Sequence, residues 1–447
     1  GNVTEYTVSG FPASTGFIWE VTDRHSPSLV LGSFSGSDYQ FVSNSDSLRE
    51  YVTSDGQNFL TPRFVSNVAY QNLHALPQAD YLIVTHGAFI SEANRLADLH
   101  RDNGLTVHVV TTDEIYNEFS SGMVDATAIR MFAKMFYDRG ISAPETQLKS
   151  LLLFGDGTFD HRNIVSSANF VQTYQVLASE NHINGLVTDD YFGLLDDNES
   201  ISPNDGMDIA VGRLLISSAE IARQQVDKIE HYMRNGSSLY STVNTNCASD
   251  DGSTTFGDWR QKYVQISDDE EGGYFVNVDC EPAYTHLKDS FPAINTDKLY
   301  LDAFQQVATA GGPRYSDVVD LINDRIERGA IVMNYVGQGG EVGVAEERVI
   351  TVPQIQEWKN IDKLTLMVSA TCEFTKYDDP DRISAGEWVS LNPYGGAIAL
   401  MTTTRSVFFG VNSLAIEKFI ERVFSRDSLH QPLTFGEIMR RTKNAAG

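Results

Sequence analysis

Hydrophobic and polar residues are patterned in two different ways along the chain, and the change falls near residue 75. Before it, short runs such as FIWEV, SLVLGSF and DYQFVS alternate with Ser, Gly, Asp and Pro, which is typical of β-strands joined by turns. No convincing amphipathic helix occurs there. Residues 1–75 are therefore predicted to be a β-rich segment, either the end of a preceding β region or an elaboration of the next domain.

After residue 75, continuous apolar runs alternate with amphipathic helical patterns. Strands are predicted at YLIVTHG, LTVHVVTTDEI, LKSLLLFGDG and DIAVGRL, and helices at SEANRLADLHRDNG, DATAIRMFAKMFYDRG and SSAEIARQQVDKIEHYMRNG. Because continuously apolar strands are buried on both faces, this order predicts a parallel sheet covered by helices on both sides. We assign residues 76–245 to this first α/β subdomain.

The second half of the chain repeats this plan. Strands are predicted at KYVQISDD, KLYLDAF, AIVMNYVGQGGE, LTLMVSATCEF and GAIALMTTT, and helices at EPAYTHLKDSF, YSDVVDLINDRIERG, TVPQIQEWK, ISAGEWVSLNP and NSLAIEKFIERVF. Residues 246–447 form the second predicted α/β subdomain, and the join lies in the region 244–258.

Charge and composition limit the kinds of partner. The 447 residues include 33 basic and 60 acidic ones, a net charge of −27, which argues against nucleic acid as a partner. Acidic loops could also hold Ca²⁺. No run approaches the roughly 18 apolar residues that a membrane helix needs. The chain starts with GNVTEY and no initiator methionine, so we expect an excised fragment from which a targeting segment was removed.

Three cysteines do not make a disulfide framework in a chain of this length. Cys247 and Cys280 could pair or both stay reduced. Cys372 stands apart, at the end of the apolar run LTLMVSATCEF. A lone cysteine is usually a small buried hydrophobic residue, but the polar residues that follow this one place it near solvent.

Ligands and catalytic groups gather at the carboxyl ends of strands in open parallel sheets. Four such ends carry polar or glycine-rich sequences: FGDGTFDH (154–161), SDDEEGG (267–273), GQGGE (337–341) and TCEF (371–374). The last two follow strands that we expect to be neighbours, so Gln338 and Cys372 are predicted to lie side by side. The glycine-rich turn also offers the free backbone N–H groups that an oxyanion site requires.

Longer segments carry a family resemblance. AGGPRYSD (310–317), GAIVMNYVGQGGEVGVAEERV (329–349), SATCEFTKYDDPDRISAGEW (369–388) and LMTTTRSVFFG (400–410) resemble the gingipain-type cysteine peptidases, family C25 of the caspase-like clan. The upstream pieces FGDGTFD, TDDYFG and DIAVGRL resemble the same family. Within it, the chain looks most like the surface sortases of the type IX secretion system.

The resemblance implies a caspase-like unit of two α/β/α subdomains with mainly parallel sheets, preceded by the end of a β-rich region. Cys372 falls on the family's nucleophile, and the backbone N–H groups of Gly339 and Cys372 fall on its oxyanion hole. Such a sortase needs no cofactor. It would cleave C-terminal signal domains from secreted cargo through a thioester, and pass the acyl group to a lipopolysaccharide amine or to water. Its place would be the outer face of a Gram-negative outer membrane, beside other secretion components.

One position departs from this pattern. Gln338 stands where the family has a histidine in Gly-His-Gly-Gly-Glu, and Val344 stands where a tryptophan is expected. A glutamine amide neither takes nor gives a proton near neutral pH, and loss of a positioned general acid–base costs roughly 10²–10⁴-fold in rate. His86 and His161 are alternative bases. The glutamine is either an engineered substitution, the mark of a natural inactive member, or a variant that leaves slow activity.

Further residues are weaker candidates. Asp189 and Asp190 could orient the general base or hold a cation, Glu341 and Glu373 could line the pocket, and Asp156 and Asp160 have the spacing of cation ligands. The alternative function is a catalytically inactive module that binds the signal domain. A general protease of the gingipain type would need a specificity pocket that the sequence does not locate.

Overall fold

The computed structural model describes residues 2–12, 15–64, 66–165, 168–176, 185, 187–202, 205–233 and 255–446. The chain divides into two compact units, residues 1–69 and residues 70–447. The predicted join between subdomains lies largely outside the described residues, as does Cys247.

The first unit consists of β-strands. Its sheets are three-stranded and antiparallel, with strand orders β1-β5-β4 and β3-β2-β6. Phe11, Ile18 and Phe41 form its small buried core. The strands are β1 (Val3–Val8), β2 (Phe17–Glu20), β3 (Ser28–Val30), β4 (Ser33–Ser35), β5 (Asp38–Asn44) and β6 (Tyr51–Ser54).

The second unit begins with a four-stranded parallel sheet in the order β12-β9-β7-β8. Its strands are β7 (Tyr81–Thr85), β8 (Val107–Thr111), β9 (Ser150–Phe154) and β12 (Ala210–Leu214), and a short antiparallel pair, β10 (Tyr174–Gln175) and β11 (Val187–Thr188), lies between the last two in sequence. Helices α1 (Ile90–Asp102), α2 (Thr112–Phe119), α3 (Ala126–Gly140) and α4 (Ala219–Met233) accompany it.

Alternate residues of these strands enter two separate cores. Leu82 and Leu151 pack with residues of α2 and α3, whereas Ile83 and Leu152 pack with residues of α1 and α4. Helices therefore cover both faces of the sheet, as the continuously apolar strands predicted.

A five-stranded parallel sheet follows, in the order β14-β13-β17-β21-β22. Its strands are β13 (Lys262–Ser267), β14 (Asn295–Tyr300), β17 (Val332–Val336), β21 (Thr365–Ala370) and β22 (Ala397–Met401). The short strands of this half are β15 (Val307–Thr309), β16 (Gly312–Arg314), β18 (Gly339–Gly340), β19 (Gly343–Val344) and β20 (Ile350–Thr351).

Helices also cover both faces of this second sheet. One core joins Met333 and Met367 to residues of α6, α7 and α8, and the other joins Val332 and Val368 to residues of α5, α9 and α10. The helices are α5 (Glu281–Ser290), α6 (Ser316–Arg328), α7 (Val352–Glu357), α8 (Ala385–Leu391), α9 (Phe409–Ile420) and α10 (Phe435–Ala446). A π-helical turn, Phe275–Cys280, leads directly into α5. The predicted α/β class with parallel sheets is confirmed.

Two elements differ from the sequence prediction. The strand predicted at LTVHVVTTDEI ends at Thr111, because Thr111 and Glu114 form a capping box that begins α2. Helix α10 was not predicted at all. It lies against β12 of the first sheet, where Asn444 donates a hydrogen bond from its amide to the carbonyl of Met207 at 3.0 Å. The segment is amphipathic, with Ile438 and Thr442 on its buried face, so the helical pattern was present in the sequence and the prediction missed it.

Cys280 is a free thiol and lies in one of the two cores that flank the five-stranded sheet. Burial raises the pKa of the Cys280 thiol to about 12, which keeps it protonated and unreactive. Among the described residues, none of the helices has both the length and the apolar character needed to cross a membrane.

Candidate active site

The carboxyl ends of β17 and β21 lie next to each other. The strands pair in parallel with Val336 opposite Ala370, and the chain then continues to Gln338 and Cys372 respectively. Both residues line one small cleft, as predicted for neighbouring strands. Its other lining residues are Phe275, Asp279, Val336, Gly337, Ala370, Thr371, Val407, Phe409 and Asn412.

Backbone contacts fix the turn that carries Gln338. Its N–H donates to Oδ2 of the buried Asp268 at 2.8 Å, and its carbonyl accepts from the Tyr335 hydroxyl at 2.6 Å. Burial raises the pKa of Asp268 to about 6. Glycine is required at position 337, since a Cβ there would lie 2.3 Å from the Cβ of Asp268. The Gln338 amide itself makes a long contact, 3.5 Å, from Nε2 to Glu271 Oε1.

The sulfur of Cys372 is half-buried and faces a backbone group from the segment after β22. The N–H of Val407 donates to Sγ at 3.5 Å. The predicted oxyanion residue Gly339 lies against the residue before the cysteine, because a Cβ at position 339 would be 2.6 Å from Thr371 Oγ1. The structure therefore brings Cys372, Gln338 and Gly339 together, while the role of each stays a prediction.

Asp279 is a residue of this cleft that sequence reasoning missed. It lies on the π-helical turn before α5 and is only 5% exposed. Burial raises its pKa, and its Oδ1 has no hydrogen-bond partner among the described residues. A carboxyl group beside position 338 is suited to orient an imidazole there. Its signal in the sequence was a single acid in the mostly apolar run FVNVDC.

Glu341 and Glu373 make contacts within the loops around Cys372, and neither residue lines the cleft. The Glu341 carboxylate pairs with Lys376 at 2.6 Å and with Arg382 at 3.1 Å. The backbone of Glu373 has a positive φ of 50°, and its N–H donates to the Arg405 carbonyl. These contacts hold the glycine turn against the segment that follows Cys372.

Asp189 and Asp190 lie at the first sheet and do not line the cleft. Asp189 accepts two hydrogen bonds of 2.8 Å from the buried guanidinium of Arg213 on β12. Asp190 pairs with Lys443 on α10. Both carboxylates therefore already have cationic partners, which explains their positions without a role in catalysis.

The two alternative histidines lie in the first half of the unit. The ring of His86 caps the turn at Ala88 and contacts Phe170, and His161 Nε2 lies 3.2 Å from Thr173 Oγ1. No histidine among the described residues lines the cleft. The structure thus gives no support to either histidine as a replacement base.

Asp156 and Asp160 do not form a cation site in the described part of the chain. Asp156 is buried, which raises its pKa to about 7. Asp160 accepts the backbone N–H of Val165 at 2.7 Å. Carboxylates close enough to share a cation occur instead at two other places: Asp196, Glu199 and Asp208, and Asp268, Asp269 and Glu347.

Glu387, near the loop after Cys372, provides a pH-dependent stability prediction. Its Oε2 accepts from the N–H and hydroxyl of Ser384, and burial near Asp156 and Asp378 raises its pKa to about 8. The protonated Glu387 contributes fully to the free energy of unfolding below pH 4.5, the ordinary pKa of a glutamate. This contribution is lost as the pH rises towards 8, the pKa of Glu387 in the folded protein. The free energy of unfolding of Glu387→Gln should therefore rise relative to the parent by about 4–5 kcal/mol across this window, measured by urea unfolding.

The matched control for this prediction is Glu357→Gln, which alters an exposed glutamate. Its difference from the parent should stay constant with pH. A Glu387→Gln difference that is equally constant would contradict the raised pKa.

The model of peptidase family C25 matches residues 74–447. The chain belongs to this family. No curated protein was found to match the sequence. The C25 match begins close to the start of the second unit and includes both parallel sheets and the whole cleft.

Solved structures agree with this family. Gingipain R (RgpB), an Arg-specific cysteine proteinase, is 15% identical, with 84% of this chain and 74% of that one covered and a TM-score of 0.59. A complex of the Porphyromonas gingivalis RgpB pro- and mature domains gives 15% identity, coverage of 82% and 76%, and a TM-score of 0.57. The fold is therefore gingipain-like, with a β-rich unit before it.

Latent PorU from Porphyromonas gingivalis is similar over a shorter stretch. It is 33% identical over 55% of this chain and 24% of its own, with a TM-score of 0.48. The chain thus spans about a quarter of the length of that protein.

As it stands, the C25 cleft can supply a nucleophile but no proton shuttle of the usual kind. A thiol nucleophile needs a base to ionise it and an acid for the leaving amine, and histidine serves both purposes. Gln338 can only donate or accept a hydrogen bond. The carboxyl group of Asp279 is the titratable group that shares the cleft with Cys372.

Proposed function

We propose that this chain is the peptidase unit of a PorU-like sortase of the type IX secretion system, which acts on C-terminal signal domains of secreted cargo. One observation carries the peptidase part of this proposal: Cys372, Gln338 and Asp279 share a cleft at the carboxyl ends of β17 and β21 in a C25 chain. The sortase part is supported by the resemblance of the segments between residues 310 and 410 to the surface sortases of the type IX secretion system.

The reaction would proceed in two steps at Cys372. The sulfur attacks the scissile carbonyl carbon, a C–S bond forms, and the C–N bond breaks as the amine leaves with a proton. A lipopolysaccharide amine then attacks the thioester to give an amide, or water gives a carboxylic acid, and the thiol is regenerated. The N–H groups of Gly339 and Cys372 would stabilise the oxyanion in both steps.

A second candidate function is favoured by Gln338. A cleft that retains the cysteine and the glycine turn but lacks a proton-transfer group fits a module that binds the signal domain and does not cleave it. In either case the partners would be cargo signal domains and other secretion components at the outer face of a Gram-negative outer membrane. The acidic surface is consistent with that location.

Protection of Cys372 from alkylation tests the shared element of both functions. We expect a saturating cargo signal domain to slow the modification of Cys372 by iodoacetamide at least about 10-fold, because a bound chain covers a half-buried sulfur. Peptide mapping by mass spectrometry measures the modification of each cysteine separately, and buried Cys280 should stay unmodified throughout.

The matched control is the same cargo protein without its signal domain, which should leave the Cys372 rate unchanged. If the signal domain leaves the alkylation rate of Cys372 unchanged, both versions of the proposal are wrong. Protection with release of a cleaved signal domain would favour the enzyme, and protection without cleavage would favour the binding module.

A further inference from the structure

Three carboxylates lie close together at the carboxyl end of β13, next to the turn that carries Gln338. Asp268 and Asp269 follow the strand directly, and Glu347 comes from the loop between β19 and β20. One oxygen of each lies within 4.8 Å of the others. Glu270 and Glu346 extend the same acidic region, and burial together with the neighbouring acids raises the pKa of Glu270.

Within the part of the chain that the structure describes, two of these carboxylates have a buried oxygen without a hydrogen-bond partner. Glu347 is only 4% exposed, and its Oε1 accepts from Gln306 Nε2 at 2.8 Å while its Oε2 accepts from none of the described residues. Asp269 accepts from the Tyr315 hydroxyl at 2.7 Å through Oδ2, and its Oδ1 is buried and unpaired. A buried oxygen without a donor costs about 1–3 kcal/mol, so two at one place indicate a missing partner.

Side chains of the described residues do not supply that partner. None of the ion pairs formed by the described residues includes Asp268, Asp269 or Glu347. Buried carboxylates normally pair with a cation or bind a metal ion. Oxygens on opposite sides of one Ca²⁺ lie at most about 5.2 Å apart, twice the usual 2.3–2.6 Å contact, and the observed spread fits within this limit.

We propose that Asp268, Asp269 and Glu347 bind one Ca²⁺ ion that orders the glycine turn of the cleft. Carboxylate oxygens from two different loops would supply the protein ligands, and water would complete the shell. The ion would act through Asp268, which also accepts the Gln338 backbone N–H at 2.8 Å. This inference does not depend on the proposed function, because calcium binding is measured without substrate.

Thermal unfolding of the whole chain in EDTA and in CaCl₂ tests this site. Calcium at about 100 times its Kd should raise the Tm of the parent by about 3–6 °C. Glu347→Gln should lose this shift, since an amide is a poor ligand beside two carboxylates. In EDTA, Glu347→Gln should match or exceed the parent in Tm, because it removes an unpaired buried charge. The order of the two proteins therefore reverses on adding calcium.

Glu199→Gln is the matched control, since it changes the other carboxylate cluster by the same atoms. It should keep the full calcium shift. The proposal is overturned if calcium does not raise the Tm of the parent, or if the shift survives Glu347→Gln. Loss of the shift in Glu199→Gln alone would also overturn it, because the ion would then lie at Asp196, Glu199 and Asp208.

Discussion

Gln338→His is expected to raise cysteine-dependent cleavage of a cargo signal domain by roughly 10²–10⁴-fold. The imidazole would enter the cleft that Cys372 already lines and would meet the buried carboxyl of Asp279 there. It could then take the thiol proton and return it to the leaving amine. Intact-protein mass spectrometry, which follows the cleaved signal domain and any thioester on the enzyme, measures the change.

Two further variants separate the histidine's chemistry from its shape. Gln338→Asn keeps a neutral amide and should gain nothing. In the Gln338→His protein, Asp279→Asn should lower kcat about 10-fold or more with little change in KM, because an amide orients the wrong tautomer of the imidazole.

Cys372→Ala sets the baseline for all these proteins. It should abolish cleavage in the Gln338→His background. The dyad assignment is wrong if the parent already cleaves as fast as Gln338→His, since another residue must then supply the proton. It is equally wrong if cleavage persists in Cys372→Ala.

Arg405→Met is expected to lower the free energy of unfolding by about 3–5 kcal/mol. The Arg405 guanidinium holds both carboxylate oxygens of Asp378, at 2.8 and 2.6 Å, and Asp378 is completely buried. Removing the cation leaves that carboxylate without its charge partner inside the protein. Urea unfolding should show a lower midpoint with an unchanged slope.

The effect should extend to the cleft. Arg405 lies two residues before Val407, whose N–H donates to the Cys372 sulfur, and Asp378 lies six residues after the cysteine. The ion pair therefore ties together the two segments that flank the nucleophile. Faster alkylation of Cys372 by iodoacetamide in Arg405→Met would report this loosening.

Two control variants of this chain test whether the loss comes from the buried ion pair. Arg328→Met breaks an exposed ion pair with Asp324 and should change the unfolding free energy by no more than about 0.5 kcal/mol. The double variant Arg405→Met, Asp378→Leu should recover most of the loss, because it leaves no buried charge. A cost below about 1 kcal/mol for Arg405→Met would mean that the pair contributes little.

The proximity of Gln338 and Cys372 could be predicted from the sequence for a local reason. Parallel strands bring their carboxyl ends to one edge, so two strands adjacent in the sheet had to place Gln338 and Cys372 together. Asp189 and Asp190 were weaker candidates, predicted to orient the general base or to hold a cation. They lie elsewhere because Arg213 and Lys443 bind them, and these partners come from distant positions in the chain.

By itself, the sequence determined the class of fold, the two parallel sheets and the pairing of a cysteine with a glutamine-bearing turn. Those features follow from periodicity and strand ends, which depend on residues close together in the chain. Only the tertiary structure placed Asp279 in the cleft, joined Asp378 to Arg405, and gathered Asp268, Asp269 and Glu347. Each of these depends on contacts between residues far apart in the chain, and burial then sets the charge state of the groups involved.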